Sequence, residues 1–182
     1  MRIAITGPQN TGKTTFLKDF LNVVPSYATP QLTYRDIIKE KKLDINQKTT
    51  EESQRAIRDF LYQQIIDNTA KNILFDRCII DNYIYTAAAE TNHIPQGFLD
   101  ETEKMMYHSL DFLDALLYIP TSASVKLESD GTRDIDVLFI DKINRLFLEM
   151  LFKIARTRET PIWTITGDRE DRVNQVKKLL GE

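Results

Sequence analysis

Short apolar runs alternate along this chain with longer stretches in which apolar residues return every three or four positions, the first spacing predicting strands and the second helices. Strands are expected near 2–6, 25–29, 72–76, 114–119 and 161–165, the second being the weakest of the set. Helical spacing or composition covers 13–22, 34–42, 50–71, 79–91, 97–110, 137–157 and 169–180. Ile57, Phe60, Leu61, Ile65 and Ile66 form one stripe, and Leu138, Ile143, Leu146, Phe147, Met150, Leu151 and Ile154 read as the inward face of a long helix. Regular alternation of this kind predicts an α/β fold in which a parallel sheet carries helices on both faces. The stretch 120–136 breaks the pattern with Ser, Thr, Asp and Gly, and reads as a covering loop or lid, or else as a long surface connection.

Composition narrows the classes. A chain of 182 residues fits one domain, here taken as 1–182. Its 24 basic and 27 acidic residues give a formal charge of −3, which offers no broad basic field for duplex nucleic acid, so any phosphate recognition is expected to be local. One cysteine, Cys78, cannot form an internal disulfide and no Cys/His spacing suggests zinc; a reducing, cytoplasmic setting is the default expectation. No apolar run approaches the length of a signal peptide or a membrane span, so a soluble protein is expected.

The sharpest chemical signal is Gly7-Pro8-Gln9-Asn10-Thr11-Gly12-Lys13-Thr14, a G-x-x-x-x-G-K-[S/T] loop between a predicted strand and a predicted helix. Gly7 and Gly12 let the backbone, through Asn10 and Thr11, aim N–H groups at phosphate oxygens, and the helix start adds its positive dipole end. Lys13 is expected to reach the β- and γ-phosphates of ATP. Thr14 is expected to offer its hydroxyl to Mg²⁺, with Thr15 a further phosphate contact. The loop alone does not separate kinases from GTPases and other ATPases, although no N-K-x-D guanine signature occurs late in the chain.

Other candidates lie where strands end. Asp76-Arg77 follows the run Asn72 to Phe75: Asp76 is a candidate general base or magnesium-shell ligand and Arg77 a brace for phosphate oxygens, against the plainer reading of a strand-end ion pair. Asp81 and Tyr85, four apart on the next helix, are candidates for contact with a sugar or base, while Asp81 reads equally well as a helix cap. Arg133 is the leading lid cation, suited to the charge that spreads over a transferring phosphoryl group. Arg35 is a candidate clamp for an anionic acceptor, and a turn at Gly167 a candidate for approach to adenine, with Asp168 as a helix N-cap the competing reading.

Taken in order, the Gly7 to Thr15 loop, Phe75-Asp76-Arg77 with Asp81 and Tyr85, Asp130-Gly131-Thr132-Arg133, and Ile165-Thr166-Gly167-Asp168 ahead of Arg172 resemble the AAA-type P-loop domains grouped with the nicotinamide-riboside kinase domain and, more broadly, the nucleoside and nucleotide monophosphate kinases. The resemblance spans nearly the whole chain. It implies a five-stranded parallel sheet in the order 2-3-1-4-5, a lid arginine at Arg133 and adenine near Gly167. Relatives often carry an acidic residue three positions before the arginine after the second strand, where this chain has Leu32 before Arg35; that departure leaves Asp76 as the better base candidate. The expected activity is ATP- and Mg²⁺-dependent phosphorylation of a nucleoside, a nucleoside monophosphate or a related small metabolite. Phosphorylation of a hydroxymethylated pyrimidine in DNA is the first alternative, for which Lys39-Glu40-Lys41-Lys42 and Lys177-Lys178 provide too small a basic rim. A regulatory ATPase or nucleotide-dependent binding module is the second. No membrane partner is expected.

Overall fold

The computed structural model describes residues 1–44, 49–89, 94–121 and 137–181. Four strands, β1 (Arg2–Thr6), β2 (Ile73–Asp76), β3 (Ala115–Tyr118) and β4 (Ile162–Thr164), alternate with helices α1 (Lys13–Val23), α2 (Tyr34–Lys41), α3 (Glu51–Asp67), α4 (Ile79–Ala88), α5 (Gln96–Leu110), α6 (Val137–Thr157) and α7 (Arg169–Leu180). All strand pairs are parallel, in the order β2-β1-β3-β4. The first strand is central because Ile3, Ala4 and Ile5 are apolar without interruption, the pattern of a strand covered on both faces. Its side chains then divide: Ala4 joins Phe75, Leu116 and Tyr118 on the face covered by α3, α4, α5 and α6, whereas Ile3 and Ile5 join Leu74, Ala115 and Leu117 on the face covered by α1 and α7.

Among the described residues the sheet has four strands, not the expected five. The stretch 25–29 pairs only at Ala28, whose amide donates to Asn72 O (3.0 Å) and whose carbonyl accepts from Leu74 N (2.9 Å). Pro30, two residues beyond Ala28, has no N–H with which to continue the ladder, and on the other side the chain turns, with Tyr27 N donating to Val24 O at 3.2 Å. Ala28 nonetheless lies beside β2, where the outermost strand of the expected order would run.

Helix limits follow local chemistry. Thr50 caps α3 through its hydroxyl, which accepts from Ser53 N at 3.2 Å. That helix stops at Asp67 rather than near 71: Asn68 is extended, and the Arg2 guanidinium donates to Ile65 O (2.5 Å) and Asn68 O (2.6 Å), meeting terminal carbonyls that would otherwise lack partners. Along α6, Ile143, Phe147 and Ile154 are fully buried, but Leu138 is 80% exposed. At 100° per residue, five positions separate Leu138 from Ile143 by about 140°, which takes it off the apolar stripe. Among the described residues no helix is long and apolar enough to cross a membrane. The expected lid, 120–136, falls outside the described residues except for Pro120 and Thr121.

Phe147 is central to the larger core and packs near the Tyr118 ring, with centroids 6.2 Å apart. Phe147→Ala is expected to cost about 3–5 kcal/mol of stability, read as a fall in the urea midpoint at unchanged slope.

Candidate active site

Strand β1 runs out at Thr6 and the chain turns through 7–12 into α1, so the loop lies at the carboxyl edge of the sheet. Gly7 has φ 137°, and a Cβ there would stand 2.4 Å from the Ile119 carbonyl oxygen, so the turn admits glycine alone. Gly12 opens α1 at φ 83°, with its carbonyl accepting from Phe16 N at 2.8 Å. Asn10 takes the left-handed conformation between them, φ 60°, and its side-chain amide is buried without a hydrogen-bond partner among the described residues.

Lys13 folds over the loop. Its ammonium donates to Gly7 O (2.7 Å), Pro8 O and Thr11 Oγ1 (3.2 Å). Burial lowers its pKa to about 7, Arg77 adds repulsion, and Asp81 and Asp76 act in the opposite direction. The next residue, Thr14, donates its hydroxyl to Asp76 Oδ2 at 3.0 Å, linking the loop to the end of β2. Thr15 is exposed and faces away from this pair, lining a cleft of about 250 Å³ with Thr11, Gly12, Phe16, Gly167, Asp168, Arg169 and Arg172.

Beyond Asp76 the backbone turns sharply, with Arg77 at φ 86° while its amide still donates to Ile5 O at 3.0 Å. The Arg77 guanidinium is largely enclosed, with 12% of its side chain exposed: Nη1 donates to Asp81 Oδ1 (2.8 Å), and its carbon lies 4.6 Å from the Tyr34 ring centroid and 5.6 Å from that of Tyr85. Asp81 itself accepts through Oδ2 from Thr6 Oγ1 (2.8 Å) and Cys78 N (3.3 Å). Burial pushes its carboxyl pKa up while Arg77 and Lys13 pull it down. Tyr85 reaches the loop, accepting from Gln9 N (2.9 Å) and donating to Gln9 Oε1 (2.8 Å).

Lys13, Thr14, Asp76, Arg77, Asp81 and Tyr85 are therefore brought to one edge of the sheet, with Arg35 near enough to influence Lys13 electrostatically. The capping readings of Asp81 and Asp168 are observed: Asp81 accepts from Cys78 N (3.3 Å) at the start of α4, and Asp168 Oδ1 accepts from Asp171 N (2.9 Å) at the start of α7, next to Gly167, which lines the cleft. Arg133 lies outside the described residues. Three participants escaped selection from sequence. Thr6 and Gln9 lay within or beside the loop motif, but their partners come from α4, about 75 residues away. Tyr34 adjoins Arg35, and only the fold reveals Arg77 against it. Arg172 fastens the loop from the far side, donating to Thr11 O (2.7 Å) and Gly167 O (3.0 Å).

The buried ammonium has a consequence for stability. The unfolded chain holds the Lys13 proton up to its ordinary pKa of 10.5 and the folded chain only to about 7, so charge burial opposes folding below pH 7 and is relieved as pH rises. Replacing Lys13 by methionine should stabilise the protein at pH 6. Paired denaturant titrations should show that advantage shrinking above pH 7, by up to about 1.4 kcal/mol per pH unit.

The family model described as AAA domain matches residues 2–172. No curated protein sequence matches the chain. Among solved structures, the deoxyadenosine kinase from M. mycoides with products dCMP and a flexible dCDP bound is similar at TM-score 0.73 and 18% identity, covering 100% of this chain and 98% of that one. The NadR protein in complex with NR is similar at TM-score 0.72 and 14% identity; the match covers 99% of this chain and 51% of NadR, so the chain spans about half the length of that protein. Likeness at these identities concerns the fold, a P-loop NTPase-like arrangement of parallel sheet and flanking helices. With a family match over nearly its whole length, a glycine-rich loop of the required geometry and this fold, the chain belongs to the AAA domain family.

Proposed function

We propose that the protein is a kinase that transfers the γ-phosphate of ATP to a nucleoside, a nucleoside monophosphate or a closely related small molecule. The observation that carries this reading is the hydrogen bond from Thr14 to Asp76, which unites the end of the phosphate loop with the acidic end of β2 beside Lys13 and Arg77. The loop fits a polyphosphate. Its backbone takes left-handed conformations at Asn10 and Gly12, the kind of turn that can present N–H groups to an anion, α1 begins at Lys13 with Gly12 as its N-cap, and the buried Asn10 amide has polar atoms to offer. Thr14 and Asp76 are hard oxygen donors of the kind magnesium selects, so they would hold the ion that screens charge on the β- and γ-phosphates. The cleft between Gly12, Thr15 and Gly167 is the proposed adenine side, which leaves the α2–α4 side for the acceptor.

In this reading Lys13 exchanges loop carbonyls for phosphate oxygens, and Arg77, kept cationic by the carboxylates and rings around it, faces the group in transit. Asp76 either helps hold the metal or receives a proton from a hydroxyl acceptor. The structural neighbours support the choice of reaction: one is named as a deoxyadenosine kinase, and it was solved with deoxynucleotides bound.

ATP consumption with Mg²⁺, measured over a panel of nucleosides, deoxynucleoside monophosphates, nicotinamide riboside and hydroxymethyluracil-containing DNA with products identified by mass, tests the proposal. A phosphorylated acceptor is the expected result, lost by at least about a hundredfold in Lys13→Ala. ADP release indifferent to every acceptor would replace it with a regulatory ATPase.

A further inference from the structure

Resting on the kinase reading and going further into it, we propose that the acceptor is a nucleoside monophosphate rather than a nucleoside, its phosphomonoester gripped by Arg35 and Arg77 around the Tyr34 ring. Both guanidinium carbons lie over that ring, Arg77 at 4.6 Å and Arg35 at 5.6 Å from the centroid. Stacking on a phenol restrains a guanidinium while leaving its in-plane N–H donors available for a bidentate anion. Arg77 commits Nη1 to Asp81, whereas Arg35, half-buried at the start of α2, has no carboxylate within ion-pair distance among the described residues. A stacked arginine with no counter-ion among the described residues, beside a second arginine and Lys13, marks a place prepared for negative charge.

The carboxylates argue the same way. A hydroxyl acceptor needs a general base; Asp81 has both oxygens hydrogen-bonded, by Thr6 and Cys78 N at Oδ2 and by Arg77 at Oδ1, which leaves that task to Asp76 alone among the described carboxylates of this edge, with its Oδ2 already accepting from Thr14. A phosphate dianion needs none. One of its oxygens forms the new bond to the γ-phosphorus as the bond from that phosphorus to the β–γ bridging oxygen breaks, giving a nucleoside diphosphate and ADP with no proton to remove. Two extra donors then hold the acceptor while Lys13 stays with the donor nucleotide.

Calorimetric binding distinguishes the two acceptor classes without requiring turnover. The four deoxynucleosides and their 5′-monophosphates are titrated into the protein with the donor side saturated by AMP-PNP and Mg²⁺. At least one monophosphate should bind about tenfold or more tightly than its own nucleoside, the margin expected of a charge-assisted hydrogen bond. Arg35→Ala should reduce that ratio to below about threefold, while Arg35→Lys, which keeps the charge and loses the fork, retains part of it. Absence of a monophosphate advantage, or an advantage undiminished in a folded Arg35→Ala protein, overturns the inference. The outcomes separate from those of the kinase assay: phosphorylated nucleosides with unphosphorylated monophosphates would leave the kinase reading intact and remove this one. Tight monophosphate binding without any phosphorylated product would do the reverse.

Discussion

The carboxylate of Asp81 is buried, and much of the functional edge is organised around it. Removing a carboxylate from water is expensive unless its lone pairs are taken up, and here three groups from different parts of the chain do so: the Thr6 hydroxyl at the end of β1, the Cys78 amide at the start of α4, and the Arg77 guanidinium between β2 and α4. Each partner is thereby placed as well as satisfied. Thr6 precedes Gly7, so the entry to the phosphate loop is tied to the entry of α4. Arg77 is held in a backbone conformation that side-chain-bearing residues seldom adopt, φ 86°, because its amide remains on the β1 ladder while its side chain turns back to Asp81. The ion pair is thus the point at which two strands, one helix and the loop share a single geometry.

Around that point the loop is restrained from several sides. Ile119 of the segment after β3 closes against Gly7, Tyr85 of α4 grips Gln9, and Arg172 of α7 holds the Thr11 carbonyl. Asp19 of α1 pairs with Arg169 at 2.5 Å, fixing the first helix to the last one on the same side of the sheet. Loops that bind phosphate through backbone N–H groups work best when their shape does not have to be created on binding, since ordering entropy would then be subtracted from the affinity. These long-range contacts supply that rigidity, and they also enclose Lys13, whose lowered proton affinity is the electrostatic result of the same packing.

The sequence-to-structure comparison divides along the range of the interactions involved. Periodicity located β1, β2, β3, β4 and the helices because burial on one or two faces leaves a local record. The loop motif was legible because its glycines, Lys13 and Thr14 are consecutive. The differences lie where a turn, a missing donor, a distant neighbour or helix phase decided the outcome: the turn at 24–27 and the absent N–H of Pro30 reduced an expected strand to the single pairing at Ala28, Arg2 helped to terminate α3, and helix phase exposed Leu138. Asp76 and Arg77 could be chosen as strand-end residues, but the aromatic environment of Arg77 joins α2 to α4, and no local pattern announces a contact between Tyr34 and a residue 43 positions later in the chain.

In the proposed kinase reading, the residues assigned to the donor nucleotide and those assigned to the acceptor sit in different packing environments. The loop is built into β1 and α1, with Gly7 pressed against backbone and Lys13 buried, so alteration there strains the core. Tyr34 and Arg35 instead begin α2, an eight-residue helix none of whose residues is fully buried. Substitutions on such a helix cost little cavity or desolvation energy, and what they alter is the chemistry presented to the acceptor. The packing therefore fixes the loop end of this edge more firmly than the α2 end. In the proposed reading the acceptor is held by a half-buried arginine on α2 together with a less exposed one after β2. The first has no ion-pair partner among the described residues, while the second is bound into the Asp81 network and, through it, to the sheet.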